Sequence, residues 1–233
     1  MKTRAIVFLL ALLIPGAAFA DLANYTQDFE ALPPVDGSLA GDGWLVFGNV
    51  FDPGGGYLYG YGVFPAVNNI GNWQDIVGGQ GGPDQELQQI VVYNDYANGD
   101  HAVGNLIESN LFQEQVIGAG DVGLWTFTFD AKMGDLGGNS TALAFIKVLD
   151  PNNGHSLTVF NTLDMTSTPV TWSDYLINVD VTGLAGQILQ FGFSTTATLY
   201  EPSGVFYDNV AFSDNGTVAT EEASFGSLKA LFR

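Results

Sequence analysis

Short runs of alternating apolar and polar residues dominate the chain between residues 21 and 213, and turn residues interrupt them at intervals of about eight to twelve positions. Alternation with a period of two is typical of strands that bury one face, whereas a surface helix needs a period near 3.6. Trp125, Phe127 and Phe129, for example, share one face of the run 124–130. Regular short strands with Gly, Asn, Asp and Pro between them predict an all-β sandwich or barrel.

The pattern is clearest in the runs 89–93, 124–130, 141–149, 156–160, 173–179, 188–194 and 205–213. No internal repeat or long linker separates these runs, so one β-sandwich domain over residues 21–213 is predicted. The composition is 46% hydrophobic and 13% aromatic, which is enough to fill a sizeable core. The chain has no cysteine, which excludes disulfides and thiolate metal sites.

The first twenty residues have the pattern of a secretory signal peptide. Lys2 and Arg4 precede an apolar run over 5–13, and small residues lead up to Ala20. The apolar run is too short to span a bilayer. We therefore expect a secreted protein, extracellular or periplasmic, and the acidic, cysteine-free composition is typical of a bacterial one.

Charge narrows the range of partners. The sequence has 25 acidic and 6 basic residues, for a formal net charge of −19. Nucleic acids and anionic membranes bind proteins through Lys and Arg, so neither is expected as a partner. The same carboxylates supply oxygen ligands for a hard cation such as Ca²⁺.

The tail over 214–233 differs from the rest of the chain. Residues 220–222 could open a short helix with Phe225, Leu228 and Leu231 on one stripe and basic residues near its end. A C-terminal helical tail that docks on its own domain is the simpler prediction. The alternative is a sorting or docking tag, through which the protein could self-associate.

Asp208 is an anomaly in the last predicted strand, because period two places it on the face of Phe206, Val210 and Phe212. A carboxylate in an apolar row costs several kcal/mol unless it is paired or bound to a cation. A metal ion is one solution. Hydrogen bonds from the backbone of a turn are the other.

Two segments at the ends of the domain resemble a known group. Residues 29–30 are Phe-Glu, and residues 207–210 are Tyr-Asp-Asn-Val. Secreted jelly-roll carbohydrate-binding modules of the galactose-binding-like fold often begin and end in this way. The resemblance implies an antiparallel jelly-roll sandwich and a structural calcium ion held by Glu30 and Asp208, with Asp28 a less favoured ligand.

A tyrosine row lies in the glycine-rich segment 54–62. If this segment is extended, Tyr57, Tyr59 and Tyr61 share one face, and Trp73 could extend the platform. Tyrosine stacks on the C–H face of a sugar and hydrogen-bonds its hydroxyls. These four residues are the predicted ligand-binding set, and packing of the tyrosines into the core is the alternative.

An enzyme would need different residues. His101 is one of two histidines and could act as the base of a polysaccharide lyase, and Glu108 or Glu114 with another acidic residue could form the acid pair of a glycoside hydrolase. The leading prediction remains a non-catalytic protein that binds a neutral or weakly charged polysaccharide or oligosaccharide. A polysaccharide-degrading enzyme and an extracellular matrix or surface structural protein are the alternatives.

Overall fold

The computed structural model describes residues 21–68 and 73–215, which form two antiparallel sheets packed face to face. The strands are β1 (Tyr25–Gln27), β2 (Leu45–Phe51), β3 (Tyr57–Pro65), β4 (Gln74–Gly78), β5 (Gln88–Val92), β6 (Leu106–Val116), β7 (Leu124–Leu136), β8 (Thr141–Asp150), β9 (Ser156–Asp164), β10 (Ser173–Asp180), β11 (Ile188–Ala197) and β12 (Ser203–Asp214). Helical structure in the described residues is limited to α1 (Ser38–Gly41) and two 3-10 turns, Gly99–Val103 and Pro151–Asn153. No helix in these ranges is long and apolar enough to cross a membrane.

The predicted all-β antiparallel sandwich is confirmed. Sheet 1 has the order β10-β7-β12-β5-β4, with β1 also paired to β12, and sheet 2 has the order β3-β2-β6-β11-β8-β9. Six of the seven predicted runs lie within a strand and the seventh, 89–93, extends one residue beyond β5, whereas the alternation did not reveal β2, β4 or β6. The predicted signal peptide, 1–20, and the predicted helix of the tail lie outside the described residues.

Aromatic rings fill the space between the sheets. Phe193 of β11 stacks on Tyr207 of β12 with ring centroids 3.6 Å apart, and Phe191 stacks on Phe212 at 4.4 Å. All four side chains are fully buried. Since β11 belongs to sheet 2 and β12 to sheet 1, these stacks join the two sheets directly.

A bulge in β12 decides where Asp208 lies. Its register against β7 shifts between Asp208 and Ala211, and Asn209 has a positive φ of 47°. One extra residue reverses the faces, so Tyr207 before the bulge and Val210 after it are both buried. The prediction that Asp208 shares a face with Val210 was therefore wrong, because period two does not hold across the bulge.

The edge of sheet 2 is formed by β3, which pairs only with β2 among the described strands. None of its nine residues is charged. Tyr57, Leu58, Val63 and Phe64 are all exposed. The strand is thus an uncharged edge with exposed large apolar side chains.

We expect the Phe193→Ala variant to lose about 3–5 kcal/mol of unfolding free energy, because it removes a ring from a close-packed site that cannot collapse fully. Urea unfolding followed by tryptophan fluorescence measures this loss. Phe64→Ala, at an exposed position of β3, is the control and should change the value by less than about 0.5 kcal/mol. A loss below about 1 kcal/mol in Phe193→Ala would contradict the role of the inter-sheet stack.

Candidate functional site

A groove of about 520 Å³ lies on the outer face of sheet 2, away from the core. On β2 the residues Val46 and Val50 point into the core, so Phe47 and Asn49 alternate with them onto the outer face. The groove combines apolar and polar side chains drawn from five strands and the β8–β9 turn. They are Phe47, Asn49, Val63, Asn110, Phe112, Glu114, Lys147, Leu149, His155, Ile188 and Gln190.

Strand register brings these residues together. Phe47 of β2 lies opposite Asn110 of β6. Gln190 of β11 lies opposite Glu114 of β6 on one side and Lys147 of β8 on the other. Directly opposed side chains on neighbouring strands are within contact distance, and Gln190 Nε2 donates to Glu114 Oε2 at 2.8 Å. Polar groups therefore continue across the groove from strand to strand.

A hydrogen-bond network fixes the polar side chains near the middle of the groove. Asn49 Nδ2 and Asn110 Nδ2 both donate to Glu108 Oε1, at 2.8 and 2.9 Å. Lys147 Nζ donates to Asn110 Oδ1 at 2.9 Å. Because each of these groups has a partner within the network, the network holds a defined arrangement of donors and acceptors before any ligand arrives.

Aromatic rings surround the ammonium group of Lys147. Its Nζ lies 4.2 Å from the centroid of the Phe145 ring and 5.3 Å from that of Phe160. Burial lowers the pKa of Lys147, and the charge of Glu108 acts in the opposite direction. Phe112 and Phe145 are both 1% exposed, and each neighbours core residues along its strand, Leu111 for Phe112 and Ala144 with Ile146 for Phe145, so both rings lie on the outer face under the groove.

The predicted tyrosine row does not share one face. The register between β2 and β3 shifts at Leu58, so that Tyr57 lies opposite Phe51 on the outer face while Tyr59 lies opposite Val50 on the other face. Tyr57 is 61% exposed and packs edge-on against Phe51, with centroids 5.8 Å apart. Of the three tyrosines, only Tyr57 therefore lies on the face of the groove.

The other three residues of the predicted ligand-binding set make contacts away from the groove. Trp73 is 5% exposed, and its Nε1 donates to the backbone of Asn110 inside the core, so its predicted role as a sugar platform was wrong. Tyr61 packs on Trp73 and donates its hydroxyl to Asp95 at 2.8 Å. Tyr59 stays partly exposed and donates its hydroxyl to Asp100.

The residues proposed for catalysis do not form one site. His101 is buried between the rings of Tyr96 and Tyr200, at centroid distances of 5.7 and 5.0 Å, and burial lowers its pKa. Glu108 and Glu114 lie on the same strand six positions apart, which at a rise of about 3.4 Å per residue separates their backbones by about 20 Å. A glycosidase acid pair needs about 5–10 Å, so Glu108 and Glu114 cannot pair with each other, and the pairing of either one with another acidic residue stays a prediction.

The carboxylates predicted to bind metal meet in a small cavity of about 40 Å³ in the gap along β12 between β5 and β1. Its lining includes Asp28, Glu30 and Asp208. Asp208 is 1% exposed, and its Oδ2 has no hydrogen-bond partner among the described residues. Burial, with nearby negative charges adding to it, raises the pKa of Asp208 to about 7. Glu30 Oε1 accepts from the backbone N–H groups of Leu87 and Gln88.

The chemistry of this cavity fits a hard cation in part. Asp208 and Gln85, which also lines the cavity, each carry a buried side-chain oxygen without a partner among the described residues. Oxygen is the donor that Ca²⁺ prefers. Within residues 21–68 and 73–215, however, no group of three or more His, Asp or Glu side chains is assembled for a metal. The predicted ligands are neighbours, not a preformed cluster.

Comparison with known proteins gives neighbours in structure only. No family model and no curated protein matches the chain. The chain is similar to the enzymatically active domain of bacteriophage CBA120 tailspike protein 4, with 16% identity over 63% of this chain and 20% of that one, and a TM-score of 0.40. It is similar to a family 16 carbohydrate-binding module, with 10% identity over 62% and 88% and a TM-score of 0.39. It is also similar to the K1 cleaved adhesin domain of Lys-gingipain from Porphyromonas gingivalis, with 14% identity over 83% and 99% and a TM-score of 0.40.

Carbohydrate-binding modules of families 22, 35 and 61 are among the other neighbours. Carbohydrate-binding modules are thus the group that the two terminal segments resemble, and they are also found among the structural neighbours. The chain spans only a fifth of the tailspike domain. Because every one of these TM-scores is below 0.5 and every identity below 25%, these overlays carry no argument about the ligand or activity of this chain.

The sequence patterns missed most of the groove. Phe47, Asn110 and Lys147 lie on three strands that are far apart in the chain, and only the register makes them neighbours. One local signal was present, because Glu108, Asn110, Phe112 and Glu114 alternate with Ile107 and Leu111, both fully buried. This alternation would have identified β6 and its polar outer face.

The lowered pKa of Lys147 predicts that the unfolding free energy depends on pH in a definite direction. Below its lowered pKa the folded chain holds a buried ammonium at a cost, and this cost disappears as pH rises toward the ordinary value of 10.5. The unfolding free energy of the wild type, minus that of Lys147→Met, should therefore rise between pH 8 and about pH 10.5. Urea unfolding of both proteins across this range, with subtraction at each pH, cancels the titration of the tyrosines. A flat difference would show that Lys147 titrates normally.

Proposed function

We propose that the chain is a secreted, non-catalytic protein that binds a neutral polysaccharide or oligosaccharide in the groove on sheet 2, and that a calcium ion beside Asp208 stabilises the fold. The observation that carries the proposal is the groove itself, where aromatic rings and a fixed hydrogen-bond network lie side by side. Sugars present both an apolar C–H face and a rim of hydroxyls, and they need both kinds of partner.

The aromatic part of the groove suits stacking. Phe47 lies at the side of the groove formed by β2, next to the glycine-rich edge strand, and a side chain on Gly60 would come within 2.7 Å of its ring. The bare backbone at Gly60 therefore leaves room for the Phe47 ring. Tyr57 lies on the same outer face at the edge strand and is open to solvent. These two rings are the proposed stacking surfaces, in place of the predicted set of Tyr57, Tyr59, Tyr61 and Trp73.

The polar part of the groove suits hydroxyl recognition. Glu114 is exposed at one end of the polar row, and Gln190 and Asn49 supply amide groups. The groove extends from β3 to β8, which is four inter-strand spacings or about 19 Å. That length exceeds a single sugar ring, which favours a segment of a glycan chain over a monosaccharide.

Charge argues for an uncharged ligand. Glu114 lines the groove, and Glu108 accepts hydrogen bonds from two of its lining residues. The one lysine of the lining, Lys147, already donates to Asn110 and lies against aromatic rings. The formal net charge of −19 would repel a polyanionic glycan at long range. A uronate-rich polymer is therefore a poor ligand for this surface.

We expect Phe47→Ala to weaken glycan binding about tenfold, since loss of one stacking ring is worth about 1.4 kcal/mol. Affinity electrophoresis in gels with neutral and anionic polysaccharides, with the recovered chain length recorded, tests both binding and cleavage. Leu176→Ala, exposed on a strand of sheet 1, is the matched control and should bind as the wild type does. Binding unchanged in Phe47→Ala and in Glu114→Gln would remove the groove from the proposal, and shortened chains would make the protein an enzyme.

Calcium has its own expected outcome. At a Ca²⁺ concentration about one hundred times its Kd, a native-state ligand adds about 2.7 kcal/mol, or about 5–10 °C in Tm for a domain of this size. Chelation should reverse this shift. Asp208→Asn should abolish the response to Ca²⁺ while being at least as stable as the wild type in chelator, because it removes a buried charge. Asp36→Asn, an exposed carboxylate outside the cavity lining, is the control. An equal Tm with and without Ca²⁺ would contradict the calcium proposal but not the glycan groove.

A further inference from the structure

A second cleft, of about 250 Å³, lies on the other side of the molecule, on the outer face of sheet 1. Its lining includes the rings of Tyr93, Tyr96 and Phe206 and the backbone of Gly134 and Gly204. No residue of this cleft lines the groove on sheet 2. Any ligand bound here therefore contacts the protein independently of the first site.

The aromatic wall is flat and held in place. The rings of Tyr93 and Tyr96 are stacked, with centroids 6.1 Å apart and an interplanar angle of 11°. The hydroxyl of Tyr96 lies 2.6 Å from Ser203 Oγ and also donates to the backbone oxygen of Glu201. These bonds fix the orientation of Tyr96, so little side-chain entropy is lost when a ligand stacks on the pair.

Gly204, one of the lining residues of the cleft, leaves space for a side chain. A Cβ built on Gly204 meets no atom closer than 3.6 Å, which is ordinary van der Waals contact. A side chain at this position would therefore occupy the cleft without clashing with the protein. The same observation supplies a probe, because Gly204→Val should fill the cleft and leave the fold intact.

Negative charge accompanies the rings. Asp135 lines the cleft, and Asp75 of β4 lies directly opposite Val91, another lining residue. Burial raises the pKa of Tyr93 to about 12, and the charge of Asp75 adds to the shift. Burial likewise raises the pKa of Tyr96, with the charge of Asp135 acting in the same direction. Both tyrosines thus lie in the field of a carboxylate.

Rings and carboxylates together favour a cation. An ammonium group is attracted both to an aromatic face and to a nearby carboxylate. An ammonium group already lies against aromatic rings on this surface, since Lys132 Nζ lies 5.6 Å from the centroid of Phe206 and 5.3 Å from that of Trp172. The ammonium group of Lys132 already has a partner, because it donates a hydrogen bond to the backbone oxygen of Gln80.

From these observations we propose that the cleft beside Tyr93 and Asp135 is a second binding site, and that it takes an amino sugar with a free, protonated amine, such as a glucosamine unit of a deacetylated glycan. The ring of such a sugar stacks on the tyrosine pair, while its ammonium group faces Asp135. The proposal does not depend on the groove on sheet 2 or on its ligand.

The test is calorimetric titration of the full chain with three probes at pH 5.5, in low and moderate salt. The probes are a glucosamine tetramer, an N-acetylglucosamine tetramer and tetralysine, which matches the charge without the sugar rings. We expect the glucosamine tetramer to bind tightest. Tyr93→Ala and Gly204→Val should weaken it about tenfold and Asp135→Asn about fivefold, whereas Asp36→Asn, the same change at an exposed carboxylate outside the cleft lining, should leave it unchanged.

Three outcomes would overturn the proposal. If tetralysine bound as tightly as the glucosamine tetramer and none of the three cleft variants weakened its binding, the overall negative charge of the protein would account for the binding. Equal binding of the N-acetylated tetramer that the three cleft variants weaken would remove the requirement for an amine, since a neutral glycan held in the groove on sheet 2 would not respond to these variants. No binding of the glucosamine tetramer would exclude the site. Asp135→Asn changes an exposed side chain, so it remains a valid test even if Tyr93→Ala fails to fold.

Discussion

The stack of rings between β11 and β12 is the contact on which the rest of the molecule depends. A cysteine-free sandwich has no disulfide between its sheets, and here Phe191 and Phe193 of one sheet pack against Phe212 and Tyr207 of the other, respectively. Burial of such large rings is the main driving force that holds two sheets face to face. Because the inner faces are used in this way, recognition of any ligand must use the outer faces, the loops or the edges. The two proposed sites lie on opposite outer faces.

Register gives the outer face of sheet 2 its chemical character. A shift of β6 by one residue against its neighbours would turn Glu108, Asn110 and Glu114 into the core and expose Ile107 and Leu111. Burial of two carboxylates without partners would cost far more free energy than the shifted register could recover. The register that keeps the core apolar therefore also determines which residues face the groove. Thus the constraint that stabilises the sandwich also places Lys147, Asn110 and Glu108 within hydrogen-bonding reach of one another.

The alternation of residues predicted the strands and the sandwich, because period two survives wherever one face is buried. It also identified Asp208 as an exceptional residue. It failed at Leu58 and at Asn209, where one extra residue in a strand exchanges the two faces. A bulge depends on the partner strand, so no local pattern reports it. The groove was missed for the same reason, since Phe47, Asn110 and Lys147 become neighbours only through pairings between distant strands. Trp73 is likewise in the core because of its tertiary contacts, although glycine and asparagine surround it in the sequence.

The uncharged edge of β3 has a consequence for the protein in solution. Exposed strand edges recruit other strands, and proteins usually protect them with a charged residue on the edge itself. Here the strand carries none, and the formal charge of −19 on the whole chain keeps two copies apart instead. Such long-range repulsion acts over about 8 Å at physiological ionic strength and over about 3 Å in molar salt. Colloidal stability is therefore linked to the salt concentration of the surroundings. High salt screens the repulsion that prevents the β3 edges of two copies from pairing, whereas low salt preserves it.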